Sequence, residues 1–237
     1  MQKKEINLAL VAARKNSKGV KDKGLLKVNK KSIVKIAVDK ALNSKRIFKV
    51  ILSSDGQKIL DLVPNNKNLI KLKRKKKLTY DKTPMLPVMK DAVNYFEKKT
   101  DLNFRVKSLI IVDPTSPLRT SNDINKAIKL FEKKKPDLLV SVHKAQHNPY
   151  FSVVEKKGKF YSLSKSPNSN PGSRQEVKEV FEINTIVWIY SRKAIFKIKK
   201  RIPKKTIIFI TPIERSIDID SYNDIKLIKY YLQNNKK

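Results

Sequence analysis

The chain has 237 residues, and 40% of them are hydrophobic, which allows a sizeable core and one domain over residues 1–237. It contains no cysteine, so disulfides and cysteine metal sites are excluded, and we expect a reducing, cytoplasmic location. A formal charge of +34 suits a nucleic-acid or anionic-membrane partner. The lysines, however, are spread over every segment without a basic-aromatic module. We therefore expect no specific nucleic acid and no membrane partner, and keep a basic nucleic-acid-binding protein as the alternative of a different class.

The first predicted element is a strand that ends in a basic turn. Ile6, Leu8, Leu10 and Val11 lie among small alanines, which favours a strand buried on both faces, although a helix over 5–14 is an alternative. The following residues combine cations, a hydroxyl and a glycine, the groups that bind phosphate oxygens at the carboxyl end of a strand. A solvated basic loop is the other interpretation. The candidate anion ligands in this turn are Arg14, Ser17, Lys18 and Lys23.

Helix and strand patterns then alternate along the chain. Apolar spacing predicts helices over 32–43, 57–63, 84–98, 121–135 and 221–233, and apolar runs predict strands over 49–53, 107–112, 137–142 and 206–211. The basic run at 71–84 is interpreted as a loop, and 152–178 as short extended pieces with a polar loop. This alternation predicts an α/β sandwich of three layers around a mainly parallel sheet.

A second polar turn, DPTSPLR at 113–119, follows a buried strand. Two prolines stiffen this turn, and it lies at the carboxyl end of its strand, where ligands bind in such sheets. The acidic residue that opens it could hold a cation or cap its own turn. The candidate ligands here are Asp113, Thr115, Ser116 and Arg119.

Three segments carry a resemblance to a known family. ARKNSKGVKDKG at 13–24 resembles the ARxGSKGxxxKN signature of the CMP-N-acetylneuraminate synthetase family, and PTSPLR at 114–119 is similar to that family's QPTSPLR. RQE at 174–176 with FEINTIVWIY at 181–190 resembles the third segment, in the same order along the chain. The departures from the family pattern include Ala12, Lys15, Asn16, Gly24, Asp113 and Thr185.

The resemblance implies a Rossmann-like nucleotidyltransferase fold with a small dimerisation arm at about 144–185, and a homodimer. It implies that CMP passes from CTP to the anomeric hydroxyl of an acidic 2-keto sugar, with release of pyrophosphate. The sugar would be a sialic acid or a related nonulosonic acid. A 3-deoxy-manno-octulosonate or pseudaminate cytidylyltransferase is the alternative within this class.

The resemblance also implies roles for individual residues. Ser53 and Arg74 join the nucleotide ligands, and Arg174, Gln175 and Asn184 join those for the sugar. A guanidinium such as that of Arg174 suits a carboxylate because it offers two parallel donors. In SIDID at 216–220, Asp218 and Asp220 would share one side of an extended segment and hold Mg²⁺, unless they only cap the last helix. The residues expected to be catalytic are Arg14, Lys18, Asp218 and Asp220.

Overall fold

The structure is a computed structural model that describes residues 3–15, 20, 22–80, 83–99, 103–166, 173 and 175–234. Its strands are β1 (Lys4–Ala13), β2 (Lys27–Val28), β3 (Lys31–Ser32), β4 (Lys49–Ser54), β5 (Leu69–Lys73), β6 (Phe104–Ile111), β7 (Leu138–Lys144), β8 (Val154–Lys157), β9 (Phe160–Leu163), β10 (Phe181–Ser191) and β11 (Thr206–Ile210). Its α-helices are α1 (Ile33–Leu42), α2 (Gln57–Asp61), α3 (Met85–Lys99), α4 (Ser121–Lys134), α5 (Arg192–Lys197) and α6 (Tyr222–Asn234).

Seven strands form the central sheet in the order β11-β7-β10-β6-β1-β4-β5. The pairs of β1 with β4 and β6, of β4 with β5 and of β7 with β11 are parallel, whereas β10 is antiparallel to both its neighbours. The prediction of a mainly parallel sheet is confirmed. Because β1 and β6 are parallel neighbours, the turns that follow them meet at one edge of the sheet.

Helices cover both faces of this sheet, which confirms the three layers. Side chains of α1, α2 and α4 pack on one face, those of α3 and α5 pack on the other, and α6 closes a smaller cluster near the turn after β1. Leu8, Ala9, Leu10 and Val11 are all fully buried because β1 lies at the centre, between β4 and β6. The helical alternative for this segment is wrong.

Most predicted elements are found within two or three residues of their expected bounds. Ser32 caps α1 as expected, since its hydroxyl accepts a hydrogen bond of 3.1 Å from the Lys35 amide. The interpretation of residues from 71 as a loop is wrong at its start, because Leu69–Lys73 is the edge strand β5. The prediction missed this strand because its lysines interrupt the apolar pattern, and an edge strand often carries charged side chains. Helix α5 was not predicted.

Strand β10 contains the main irregularity of the sheet. Five steps along β10, from Ile183 to Trp188, oppose only two along β7, from Val142 to Val140. The extra residues form a bulge at 184–187, in the centre of the sheet and next to the turn after β6. Bulges of this kind re-aim side chains and are common beside functional sites.

The predicted arm contains a separate hairpin of β8 and β9, outside the central sheet. It is exposed, and it carries apolar side chains with large exposed fractions, 61% for Val154, 79% for Phe160 and 68% for Tyr161. The expected arm ends too late, because Phe181 already belongs to β10 of the central sheet. Across the described part of the chain, no helix combines the length and apolar character needed to cross a bilayer.

Candidate functional site

Three segments that are distant in sequence meet at the carboxyl edge of β1 and β6. The Val112 amide donates to the Leu10 carbonyl at 3.0 Å, which ties the turn after β6 to β1. The Ile219 amide donates to the Thr115 carbonyl at 3.0 Å, which brings the SIDID segment to the same edge. The sheet therefore assembles the three predicted polar segments into one site.

A basic cavity of about 320 Å³ opens at this edge. It is lined by the predicted nucleotide ligands Arg14, Lys23 and Arg74, and by Asp113 and Thr115, which were predicted as substrate ligands. Apolar side chains, among them Ile33, Leu78 and Val88, form most of the rest of its lining, together with Thr83. The predicted ligands Ser17 and Lys18 lie outside the described residues.

Arg74 is buried beneath the basic cavity and is held there by Ser53. Its Nε donates to Ser53 Oγ at 3.3 Å, and its Nη2 donates to the Ser53 carbonyl at 3.0 Å. Burial lowers the pKa of Arg74, Asp55 partly offsets this effect, and Arg14 lowers the pKa further. Ser53 is only 1% exposed and does not line the cavity, so it positions Arg74 and does not itself contact a ligand here.

The turn after β1 folds tightly against the SIDID segment. Gly24 packs closely in this turn, because a Cβ there would lie 2.8 Å from Ile59 Cδ1 and 3.2 Å from the Arg14 carbonyl, and both would have to shift to admit it. Lys23 Nζ donates to the Ile219 carbonyl and lies 3.2 Å from Asp220 Oδ1. The predicted phosphate ligand and the predicted metal ligand are thus paired with each other.

The two aspartates of SIDID have different surroundings. The segment is not a strand, and Asp220 is exposed whereas Asp218 is half-buried. Burial raises the pKa of the Asp218 carboxyl, and the charge of Asp113 adds to this more than that of Asp220 does, while Thr115 and Thr185 hydroxyls partly offset it. Asp218 Oδ1 is buried with no hydrogen-bond partner among the described residues. The two carboxylates therefore differ in exposure, and their shared role as metal ligands stays a prediction.

Asp55 and Asp113 each hold a turn in place. Asp55 does not cap α2, whose N-cap is Gly56; its Oδ1 accepts instead from the Lys15 amide at 2.8 Å. Asp113 Oδ1 accepts from the Thr115 amide at 3.1 Å and from its hydroxyl at 2.9 Å, so Asp113 does cap its own turn. Asp113 also lines the basic cavity, so the two interpretations of this residue are compatible.

Arg119 lies inside the protein, not at the cavity surface. It is 1% exposed, and its guanidinium donates to the carbonyls of Asp113 and Thr185, each at 2.8 Å, and to that of Ile186. Burial lowers its pKa to about 10, so it remains charged at neutral pH. Its expected role as a substrate ligand is revised to a positioning role, because it joins the turn after β6 to the bulge of β10.

Asn184 has a similar positioning role. It is 5% exposed, its amide nitrogen donates to Thr211 Oγ1 at 2.9 Å and to Ser216 Oγ at 3.0 Å, and its Oδ1 accepts from the Ile186 amide. These bonds stabilise the bulge from within, so its predicted contact with substrate is revised. Ser116 is also fully buried, with its hydroxyl 2.5 Å from that of Thr185.

One predicted sugar ligand of the arm, Gln175, lies away from both cavities. Gln175 is exposed and lines neither the basic cavity nor the one beside it. Arg174 lies outside the described residues. The arm and the cavities are therefore not brought together by the described part of a single subunit.

A second, mostly apolar cavity of about 520 Å³ adjoins the first. The apolar cavity and the basic cavity share Met85 and Asp113, so they meet at the turn after β6. The lining of the apolar cavity includes Trp188, Tyr190 and the basic residues 199–201. The sequence had placed Trp188 and Tyr190 in an extended segment but assigned them no role. The single tryptophan of the chain was the available signal for this cavity.

Similarity to known proteins extends over nearly the whole chain. The model of a family described as cytidylyltransferase matches residues 8–236. A post-translational flagellin modification protein B of Campylobacter coli is 30% identical over 227 residues, which cover 95% of this chain and 94% of that protein. A CMP-N,N'-diacetyllegionaminic acid synthase of Campylobacter jejuni is 31% identical over 225 residues, which cover 95% and 94%. The structure of CMP:2-keto-3-deoxy-manno-octonic acid synthetase complexed with CTP aligns with a TM-score of 0.65 at 12% identity, over 96% of this chain and 98% of that chain.

Proposed function

The chain belongs to the cytidylyltransferase family, and from this premise we propose that it transfers CMP from CTP to the anomeric hydroxyl of an acidic 2-keto sugar and releases pyrophosphate. The acceptor is a sialic acid or a related nonulosonic acid. The observation that carries the proposal is the pair of cavities that meet at Asp113, one basic and one mostly apolar. Such a pair suits an anionic donor and a sugar acceptor whose reacting atoms meet at the shared wall.

The basic cavity takes the nucleotide. Burial lowers the pKa of Arg74, repulsion from the nearby charge of Arg14 lowers it further, and Asp55 and Asp91 offset these effects only in part. A triphosphate relieves this repulsion because it adds negative charge between the two guanidiniums. Ser17 and Lys18 lie outside the described residues, and on the family resemblance we assign Ser17 to the triphosphate and Arg14 with Lys18 to the leaving pyrophosphate.

Mg²⁺ fits the carboxylates at this edge. Asp218 has a buried oxygen without a partner among the described residues, and its pKa is raised in part by the nearby charge of Asp113. No group of three or more acidic, histidine or cysteine side chains suited to a metal occurs in the described ranges. One or two carboxylates are sufficient when triphosphate oxygens supply other ligands. We assign the ion to Asp218, with Asp113 and Asp220 beside it; when bound, it would neutralise triphosphate charge and lower the pKa of the attacking hydroxyl.

The protein's own groups orient the reaction. The hydroxyl oxygen of the sugar attacks the α-phosphorus, the bond from that phosphorus to the bridging oxygen of pyrophosphate breaks, and the hydroxyl proton is released. Arg119 holds the backbone of Asp113 against that of Thr185, and both residues line the apolar cavity. This contact fixes the wall between the two substrates, which lowers the entropic cost of bringing them together.

We assign the exposed hairpin of β8 and β9 to a homodimer contact. Val154, Phe160 and Tyr161 expose apolar surface that a second subunit would cover. The arm of one subunit then carries Arg174 and Gln175 to the acceptor side of its partner. Mixing an Arg174→Ala variant with an Asp218→Asn variant tests this assignment, since about a quarter of wild-type activity should return if the two residues serve one site from different chains. No recovery in mixed dimers would place Arg174 in its own subunit's site or outside it.

The test of the function is pyrophosphate release from CTP in the presence of a panel of nine-carbon and eight-carbon keto acids. We expect turnover with CTP to exceed that with ATP, GTP and UTP, and nine-carbon acids to be the better acceptors. Comparable turnover with ATP would contradict the cytidine assignment, and preference for the eight-carbon acid or for pseudaminate would select the alternative acceptor. The protein would act in the cytoplasm, where CTP is available.

Nucleic-acid binding through the charge of +34 is separated from this function by salt. Non-specific contacts with phosphates weaken steeply as salt rises, because counterions are released on binding. We expect filter binding to nucleic acid to vanish at physiological salt without any preferred sequence. A preferred sequence retained at that salt would contradict the assignment of the charge to a solvated surface.

A further inference from the structure

Asp218 lies in the segment that joins β11 to α6, which consists of irregular chain around one short 3-10 turn, Ile213–Arg215. Irregular chain does not fix its own conformation, so the position of Asp218 depends on contacts with other elements. The segment is held by β7 where it begins, and the Ile219 amide donates to the Thr115 carbonyl at 3.0 Å just after Asp218. On the other side of Asp218 the chain is held by side chains, and the 3-10 turn supplies a charged one.

Arg215 ties this turn to the start of α4. Its Nη2 donates to Asp123 Oδ1 at 2.7 Å, across a long separation in sequence. Asp123 is buried, and its Oδ2 accepts from the Thr120 amide at 2.9 Å and from the Thr120 hydroxyl at 2.8 Å, within the capping box of α4. Asp123 is therefore fixed by its own helix, and Arg215 is held against a rigid partner.

The contact between Arg215 and Asp123 is not an efficient way to stabilise the fold. Arg215 Nε is buried and has no hydrogen-bond partner among the residues that the structure describes. A buried donor without a partner lowers stability, and both charges of a buried ion pair lose hydration. An apolar pair of similar volume would avoid both costs. The arrangement is therefore better explained by the position that it imposes on the segment.

Arg215 also balances charge near Asp218. Burial lowers the pKa of the Arg119 guanidinium, and three nearby carboxylates partly offset this effect, those of Asp113, Asp123 and Asp218. Arg215 binds one of these three, Asp123, directly. Asp218 Oδ1, by contrast, is buried with no hydrogen-bond partner in the described ranges. The ion pair thus neutralises a neighbouring carboxylate and leaves Asp218 available to a cation.

We propose that Arg215 and Asp123 form a positioning pair, which holds Asp218 where Mg²⁺ requires a ligand. Neither residue of the pair lines the basic or the apolar cavity, so both act through the backbone of the segment and not by contact with the ion. Mg²⁺ demands near-ideal octahedral geometry, so a small displacement of one carboxylate weakens its binding. This inference rests on the proposed function and deepens it, because it identifies what holds the metal ligand in place.

The test measures binding of CTP with and without a metal, in the absence of any sugar. Water-proton relaxation reports binding of the Mn²⁺ complex of CTP, and calorimetry in EDTA reports binding of metal-free CTP. We expect Arg215→Gln to raise Kd for the Mn²⁺ complex about tenfold, as for other groups that orient a metal ligand, and to leave Kd for metal-free CTP unchanged. Arg215→Lys should recover part of the loss, since it restores a charge beside Asp123.

A double-mutant cycle tests whether the two residues act as a unit. Asp123→Asn should weaken binding of the Mn²⁺ complex as much as Arg215→Gln does, and the double variant should be no weaker than either single one. Arg46→Gln is the matched control, because Arg46 pairs with Glu132 at 2.8 Å near the other end of α4. This control removes the same kind of ion pair and should leave both Kd values unchanged.

An Arg215→Gln variant that has a lower Tm but wild-type affinity for the Mn²⁺ complex overturns the inference, because the pair is then only structural. Equal weakening of both forms of CTP, or effects that add in the double variant, overturn it as well. If Arg215→Gln does not fold, wild-type affinity of Asp123→Asn for the Mn²⁺ complex has the same consequence. Absence of pyrophosphate release by the wild-type protein with every keto acid overturns the proposed function instead.

Discussion

Replacement of Arg119 tests how the site is held together. The guanidinium is almost fully buried, and it donates to three backbone carbonyls, those of Asp113, Thr185 and Ile186. Arg119→Met preserves much of the side-chain volume and removes all three donors. Arg119→Lys preserves the charge, but a single ammonium cannot reproduce the planar fork that reaches two strands at once.

The expected loss of stability follows from these bonds. A hydrogen bond from a charged donor contributes about 1.5–3 kcal/mol, and each buried carbonyl left without a partner costs about 1–3 kcal/mol. The methionine variant also removes the cost of burying a charge, which offsets part of the loss. We therefore expect Arg119→Met to lower the free energy of unfolding by about 3–5 kcal/mol. For a domain of this size, that corresponds to a fall in Tm of roughly 6–20 °C.

The assay is urea unfolding followed by circular dichroism, combined with the rate of pyrophosphate release below the melting range. We expect Arg119→Lys to lose roughly half as much stability as Arg119→Met, and both variants to have a reduced kcat because the wall between the two cavities is no longer fixed. Arg105→Met is the control, since Arg105 is exposed on β6 and its loss should change stability by less than about 0.5 kcal/mol. An Arg119→Met variant that unfolds within about 1 kcal/mol of wild type would refute the positioning role.

Three further changes test other parts of the structure. Asp218→Asn should lower turnover and raise the magnesium midpoint more than Asp220→Asn, because Asp218 is the half-buried carboxylate beside Asp113. Equal effects of the two substitutions in steady-state kinetics would mean that both carboxylates contribute equally to metal activation. Gly24→Asn inserts the family's residue where a Cβ would push against Ile59 and the Arg14 carbonyl, so a lower Tm and a higher KM for CTP are expected, and an unchanged Tm would show that these two neighbours move without cost. Burial raises the pKa of Glu97, but the hydrogen bonds from Arg192 lower it, and the net result is a folded pKa below 4.5. Its stabilisation is therefore present above pH 4.5 and is lost as pH falls through the folded value, so in urea unfolding Glu97→Gln should cost about 1–3 kcal/mol at pH 7 and progressively less as pH falls below 4.5.

The sequence by itself determined the order and type of most elements. An apolar run as in β1 or a helical spacing as in α1 is a pattern among neighbouring residues. It can be identified from the sequence because burial of one side of an element repeats with that element's period. The polar turns at 13–24 and 113–119 were also legible, since each follows a buried strand, and parallel strands carry their turns to one edge. For the same reason, the candidate ligands Arg14, Lys23, Arg74, Asp113 and Thr115 all line one cavity, and their roles as nucleotide or substrate ligands stay predictions.

Tertiary structure alone decided which polar residues face the cavities and which are buried and position the residues that do. Arg119 and Asn184 lie in the predicted motifs, yet each has distant hydrogen-bond partners that the local pattern does not reveal. Those of Arg119 are 66 and 67 residues away along the chain, and those of Asn184 are 27 and 32 residues away. The bulge of β10 turns Trp188 into the apolar cavity, and β5 is an edge strand despite its lysines. A side chain's period along its own element indicates whether it is buried, but its function depends on the element that lies opposite, and that element is set by long-range packing.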